Sequence, residues 1–203
     1  MDEVVAWLLD GDPAIRWQVE RDLLGQSGKQ TRQLVASHGW GAQLLSHRRT
    51  DGSWPDGWYD PKWTSTFYSL QLLQQLGVPG PESVNALLAE GLRDDGEFAL
   101  WPSGKPDACV TAMMLTMANE AGVRMPGALD QILAHQMPDG GWNCRMDATH
   151  ASFHTTLSTL EALAPLEGHD PQARRAGEQG REFFLTHQLY RSHRTGKVVR
   201  DTF

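Results

Sequence analysis

The chain has 203 residues, a formal net charge of −7 and two cysteines. That length suits one domain with at most a short appendage, and the acidic balance excludes the broad basic surface needed to neutralise nucleic-acid phosphates. No run approaches the ~20 apolar residues of a membrane-spanning helix.

Two cysteines are too few for a disulfide framework, so Cys109 and Cys144 are expected free or on a metal in a reducing, cytoplasmic setting. The acidic start MDEVVAWLLDGDP is unlike a secretory signal. The basic stretch from Arg191 to Arg200 reads as a solvated end.

Residues 3–9 predict a short helix broken at Gly11. Asp12-Pro13 then makes a good start for a second helix, with Asp12 as N-cap and Pro13 at the first helical position. Its apolar face is expected from Ile15, Val19 and Leu23, at four-residue spacing. Gly25 to Gly28 ends it. Lys29–Ala36 and Gly39–His47 predict two more helices.

From there the chain repeats. Asp-Gly pairs begin at Asp51, Asp95 and Asp139, 44 residues apart, in the stretches DGSW, DGEF and DGGW. A fixed period of this size signals a helical array. A helix precedes each turn, over Gly41–His47, Glu82–Leu92 and Ala128–His135, and Leu44, Leu88 and Ile132 occupy equivalent positions. A second helix follows each turn, over Thr64–Leu76, Asp107–Ala121 and Ser152–Leu163. Gly77 and Gly122 are C-cap glycines for the first two. The bodies of these helices are apolar: Phe67, Leu70 and Leu73, then Met113, Leu115 and Met117, then Leu157, Leu160 and Leu163. A fourth pre-turn helix is expected over Gln172–His187. Strand signals are nearly absent, so the fold class is all-α.

Helical hairpins joined by DGxW-type turns resemble the α/α-toroid families: squalene–hopene cyclases, protein prenyltransferase β subunits and the bacterial proteins similar to them. The resemblance covers roughly residues 40–203 and implies inner helices whose N-terminal ends face a central cavity. The class II cyclase acid motif DxDD would fall at Asp107-Ala108-Cys109-Val110. Only its first Asp is present, so cyclisation by that mechanism is not expected. Protein prenyltransferases bind zinc through an Asp-x-Cys pair and a later His. Asp107, Cys109 and His154 match those positions, which implies a tentative zinc site. Asp107 as a cap would lie just outside its helix with Cys109 in the first turn, and a Ser152 cap would give His154 the same second helical position. The lanthipeptide-cyclase toroids, which use two Cys and one His, offer Cys144 and His150 as alternative ligands.

Plainer readings stand beside these: Asp107 as a helix cap, Cys109 as a small buried residue, His154 as a partner in the turn, and Cys144 with His150 as turn-holding residues. Trp54, Phe98 and Trp142 read as packing for the turns. Trp58, Tyr59, Trp63 and Trp101 lead into inner helices, where they would line a cavity for an apolar ligand or pack between hairpins. His187 reads as a solvated helix end.

Residues 1–38 are thus expected to form an N-terminal helical segment, and 39–203 a prenyltransferase/squalene-cyclase-like toroid, partial or open. The functional expectation is a zinc-thiolate, transferase-type site taking a thiol or an isoprenoid-like small molecule. The alternative is a non-catalytic toroid that binds an apolar small molecule or a protein. Three complete hairpins, where related toroids close with about six, imply a homodimer or a part of a larger toroid.

Overall fold

The computed structural model describes residues 2–100, 107–145, 147–192 and 194–198. Among these residues every extended regular element is a helix: α1 (Glu3–Leu9), α2 (Pro13–Asp22), α3 (Lys29–Leu34), α4 (Gly39–Ser46), α5 (Thr66–Leu76), α6 (Pro81–Gly91), α7 (Ala108–Ala121), α8 (Ala128–Ala134), α9 (Phe153–Leu163) and α10 (Pro171–Thr186). Two isolated bridges, Leu92 with Phe98 and Arg191 with Val198, are the extended pairings described. No described helix is long and apolar enough to cross a membrane. The chain divides into two compact units, Met1–Glu90 with Glu120–Val123, and Gly91–Asn119 with Arg124–Phe203.

In the first unit, Asp12 organises two helix starts. Its Oδ1 accepts from the Ala14 amide at 2.9 Å, capping α2, and its Oδ2 accepts from the Trp40 amide at 2.8 Å at the start of α4. Both helices thereby satisfy an amide that lacks an intrahelical partner. The buried face of α2 is Ala14, Trp17 and Val19 rather than the expected Ile15, Val19 and Leu23. Leu23 is the C-cap residue and lies exposed, past the last full turn. Trp17 takes over the face because it buries the largest area and its indole N–H is satisfied, donating to the Leu76 carbonyl at 2.8 Å. The guanidinium groups of Arg21 and Arg32 lie 4.5 and 5.0 Å from its ring.

The three Asp-Gly turns are built alike. In each, an amide four residues before a carbonyl closes the loop: Arg49 to Ser53 at 2.8 Å, Arg93 to Glu97 at 2.9 Å and Met137 to Gly141 at 2.9 Å. The Asp side chain accepts from the amide two residues on, at Ser53 (2.9 Å), Glu97 (3.0 Å) and Gly141 (3.4 Å). The glycine adopts φ of 88°, 87° and 90°. A side chain there would also run into the backbone of the helix packed on that turn: Glu82 at Gly52, Gly127 at Gly96 and Gln179 at Gly140. Glycine is thus required twice over, by conformation and by space.

The aromatic that follows is held through its amide in all three turns, and through its side chain as well in the two that carry tryptophan. Trp54, Phe98 and Trp142 are buried, and their amides donate to the hydroxyls of Thr66 (3.0 Å), Thr111 (3.2 Å) and Thr156 (3.0 Å) in the first turns of α5, α7 and α9. The two indole N–H groups donate backwards, Trp54 to Leu44 at 3.0 Å and Trp142 to Ile132 at 2.7 Å. Leu44 and Ile132 are the equivalent positions found in the sequence, and phenylalanine at 98 has no such proton to place. Burying one aromatic contributes roughly 1.5–3 kcal/mol, and the paired polar ends keep that gain from being lost to desolvation.

Beyond α10 lies a fourth turn that the sequence did not announce. The Ser192 amide donates to Lys197 O at 2.8 Å, Gly196 takes φ 67°, and the Lys197 amide donates to the Thr195 hydroxyl at 3.4 Å. Thr195 stands where the other turns have Asp, and Val198 where they have the aromatic, with one residue more in the loop. Val198 is exposed, unlike its three counterparts. Phe183 and His187 of this last hairpin pack together with ring centroids 4.5 Å apart, and His187 Nδ1 lies 2.8 Å from Arg191 O. His187 is therefore a packed and hydrogen-bonded residue, not the solvated helix end expected.

Candidate functional site

The inner-helix starts of the second unit hold the expected site residues. Asp107 immediately precedes α7, and its carbonyl accepts the Thr111 amide at 3.0 Å, which is the first helical bond. Cys109 is the second residue of α7 and His154 the second residue of α9, whose N-cap is Ser152. Ser152 Oγ accepts from the Thr155 amide at 3.1 Å. His154 is exposed, and Cys109 is half-buried.

Cys109 is bonded to Cys144, with the two Cα atoms 5.7 Å apart, and neither cysteine is free. This corrects the expectation of thiols free or on a metal. The pairing arises because the segment after the third turn folds back over the N-terminal ends of the inner helices. Asn143 Nδ2 donates to His150 O at 2.9 Å, the Ala151 amide to Asp139 Oδ2 at 2.8 Å, and the Ser152 amide to Trp142 O at 2.8 Å. The Asp that shapes the turn therefore also closes the loop carrying Cys144. His150 sits exposed on that loop.

As found, the sulfur that was to hold zinc with Asp107 and His154 is engaged in the S–S bond. Among the described residues no three His, Cys, Asp or Glu side chains form a group that could hold a metal ion. The disulfide form thus does not present the Asp107–Cys109–His154 set as a metal centre. What the fold does bring together is Cys109 and Cys144, the pair that a Cys-Cys-His arrangement would use.

The aromatic residues divide. Tyr59 is buried, its ring 5.3 Å from those of both Phe67 and Tyr68, so it packs against α5. The Tyr68 hydroxyl donates to that of Tyr59 at 3.1 Å. Trp58 is half-buried, and its carbonyl accepts the Phe67 amide at 2.9 Å. Trp63 is 77% exposed at a left-handed φ of 77°, with its ring 5.2 Å from Tyr68. Trp101 lies outside the described residues.

One cluster escaped the sequence reading. Glu97 Oε2 is 3.7 Å from Arg93 Nη1 and its Oε1 is 3.9 Å from His135 Nε2, beside a narrow cleft lined by Thr111, Ile132 and Trp142. Glu97 is the variable third residue of its turn, and the four-residue spacing from Arg93 was the signal available. With both oxygens facing a basic group, the cluster ties the second turn to the end of α8.

No family model and no curated protein matches this chain. Among solved structures it is similar to a crystal structure of a protein from Actinoplanes, with a TM-score of 0.48 and 20% identity over 83% of this chain and 54% of that one. The chain spans about half the length of that protein, and a likeness at this level identifies neither a family nor an activity.

Proposed function

We propose that this chain is part of an α/α-toroid-like array of the prenyltransferase/squalene-cyclase-like type, and that its chemistry resides in Cys109, at the start of α7, and Cys144, on the loop before α9. The array reading is supported by the turn-and-threonine clamp, which recurs at Thr66, Thr111 and Thr156, and by the fourth turn at Arg191–Val198. The site reading rests on one observation: the fold brings the chain's two cysteines within bonding distance across 35 residues.

In the dithiol form this pair would offer two thiolates to zinc, with His154 or His150 as the imidazole ligand, in a transferase-type site. The chemistry zinc would supply there is activation of an incoming thiol as a nucleophile. The chain's own part is to hold the sulfurs. Cys109 stands in the first turn of α7, where unpaired amides favour a thiolate, and Cys144 is fixed by the loop that Asp139 closes. The substrate class that fits the resemblance is a thiol or an isoprenoid-like small molecule.

The test is metal content. Protein purified under reducing conditions without chelator should carry about one zinc per chain, and Cys109→Ala and Cys144→Ala should each abolish it. No zinc in the reduced protein ends the proposal. The second reading, a non-catalytic array that binds an apolar molecule, is favoured by the exposed Trp63 beside Tyr68. It expects Trp63→Ala to lose binding of an apolar ligand while both cysteine variants retain it.

A further inference from the structure

The hydroxyl of Thr155 carries information about the disulfide that the pairing alone does not. A threonine hydroxyl has two acceptor positions and one proton. Both acceptor positions are used here: the Cys144 amide donates to Thr155 Oγ1 at 3.2 Å, and Ser152 Oγ donates to it at 2.8 Å. Ser152 Oγ in turn accepts the Thr155 amide at 3.1 Å, which leaves its own proton free for Thr155. Thr155 therefore has a proton left to give, and Cys144 Sγ stands 3.1 Å away. A disulfide sulfur carries no hydrogen, so Thr155 is the donor in that contact. A donor held on a sulfur stabilises it most when the sulfur is anionic.

We propose that Cys109–Cys144 is an exchangeable disulfide whose partner is a thiol reductant, with Thr155 as the positioning residue that holds Cys144 as the leaving thiolate. The reductant's thiolate attacks Cys109 Sγ, forming a mixed disulfide there, and the electron pair of the S–S bond leaves on Cys144 Sγ under the Thr155 hydroxyl. A second reductant thiolate attacks the reductant's own sulfur in the mixed disulfide. That step releases the oxidised reductant and Cys109 as a thiolate in the first turn of α7. Two thiols are oxidised to one disulfide and one disulfide is reduced to two thiols, a balanced two-electron exchange. The 14-residue helix α7 favours the Cys109 thiolate, while Asp107, just outside the helix, opposes it, so Thr155 is the group that tips the pair. Both cysteines are half-buried, which leaves the bond open to a small thiol. The inference stands whether or not the dithiol takes up zinc.

The experiment uses the full chain in glutathione redox buffers containing a chelator, so that a failure of zinc binding does not enter the result. Free thiols are counted by alkylation and mass. The wild type should pass from disulfide to dithiol within the glutathione range. Thr155→Val should shift the exchange constant about tenfold towards the disulfide, equal to ~30 mV, and Thr155→Ser, which keeps the donor, should stay within about twofold of wild type. An unshifted Thr155→Val, a Thr155→Ser shift as large as that of Val, or a pair that stays wholly oxidised or wholly reduced throughout would overturn the proposal. If Thr155→Val does not fold, Ser152→Ala probes the same chain one bond further out. It should move the constant in the same direction by less, and no movement overturns the proposal equally.

Discussion

Replacing Thr156 by valine removes one oxygen from the third turn and almost nothing else. The Trp142 amide, in a fully buried residue, loses its 3.0 Å acceptor, and the longer return bond from Thr156 Oγ1 to Trp142 O at 3.4 Å goes with it. A buried amide left without a partner costs about 1–3 kcal/mol. The added methyl group recovers at most ~0.8 kcal/mol of that. The net expected loss is about 1–2 kcal/mol, or a fall in Tm of about 2–8 °C for a chain of this size. Urea unfolding followed by tryptophan fluorescence measures it, with Thr149→Val on the exposed loop as a control expected within about 0.5 kcal/mol of wild type. Thr66→Val should lower stability in the same sense, because Thr66 accepts from Trp54 and also donates to Gly57 O at 2.8 Å. If Thr156→Val unfolds at the same urea concentration as Thr149→Val, the threonine clamp is not what holds the turn to its helix.

Three further outcomes follow from the same geometry. Asp12→Ala should cost about 1–2 kcal/mol, with Asp12→Asn in between because it keeps one accepting oxygen; an Ala variant as stable as wild type would mean that α2 and α4 do not share a cap. Gly96→Ala should cost roughly 3 kcal/mol or more, since the new Cβ meets the Gly127 backbone at a positive φ, whereas Gly122→Ala, with open space around it, should cost only the ~1–2 kcal/mol of the left-handed conformation. Asp51 is held below the usual carboxylate range by the Ser53 amide, then by the Ser53 hydroxyl, both donating to its charged form. A depressed carboxylate stabilises the fold above its unfolded value of about 4, and that contribution is lost as pH falls through the lower folded value. The difference in stability between wild type and Asp51→Asn should therefore shrink in acid below about pH 4, and a difference that grows there would contradict the assignment.

The helices and turns were legible because their signals are local. Asp-Gly before an aromatic, repeated at one interval, specifies a turn and a buried ring without help from the rest of the chain. The threonine clamp was also present, at Thr66, Thr111 and Thr156, each 45 residues from the next. It passed unnoticed because a threonine in the first turn of a helix has many ordinary reasons to be there. The fourth turn was hidden by chemistry and by distance: Thr195 replaces the acid, Val198 the aromatic, and Thr195 lies 56 residues after Asp139 instead of 44. The face of α2 was misread because four-residue spacing counts Leu23, which the helix no longer carries. The cysteine pair was illegible for a different reason. Its bond depends on where a loop held by Asp139 and Asn143 comes to rest, and no neighbour in the sequence records that.

The repeat also keeps two clocks that do not agree. The turns recur every 44 residues and the threonines every 45, so the stretch from aromatic to threonine grows from 12 residues at Trp54–Thr66 to 13 at Phe98–Thr111 and 14 at Trp142–Thr156. Both ends of that stretch are pinned by the same hydrogen bond in every copy, so its length can drift without moving the frame. The longest copy is the one that accommodates Cys144. The scaffold thus behaves as a socket with a fixed rim and a replaceable insert. Residues added between Trp142 and Thr156 should graft new side chains over the helix starts while leaving the hairpins in place.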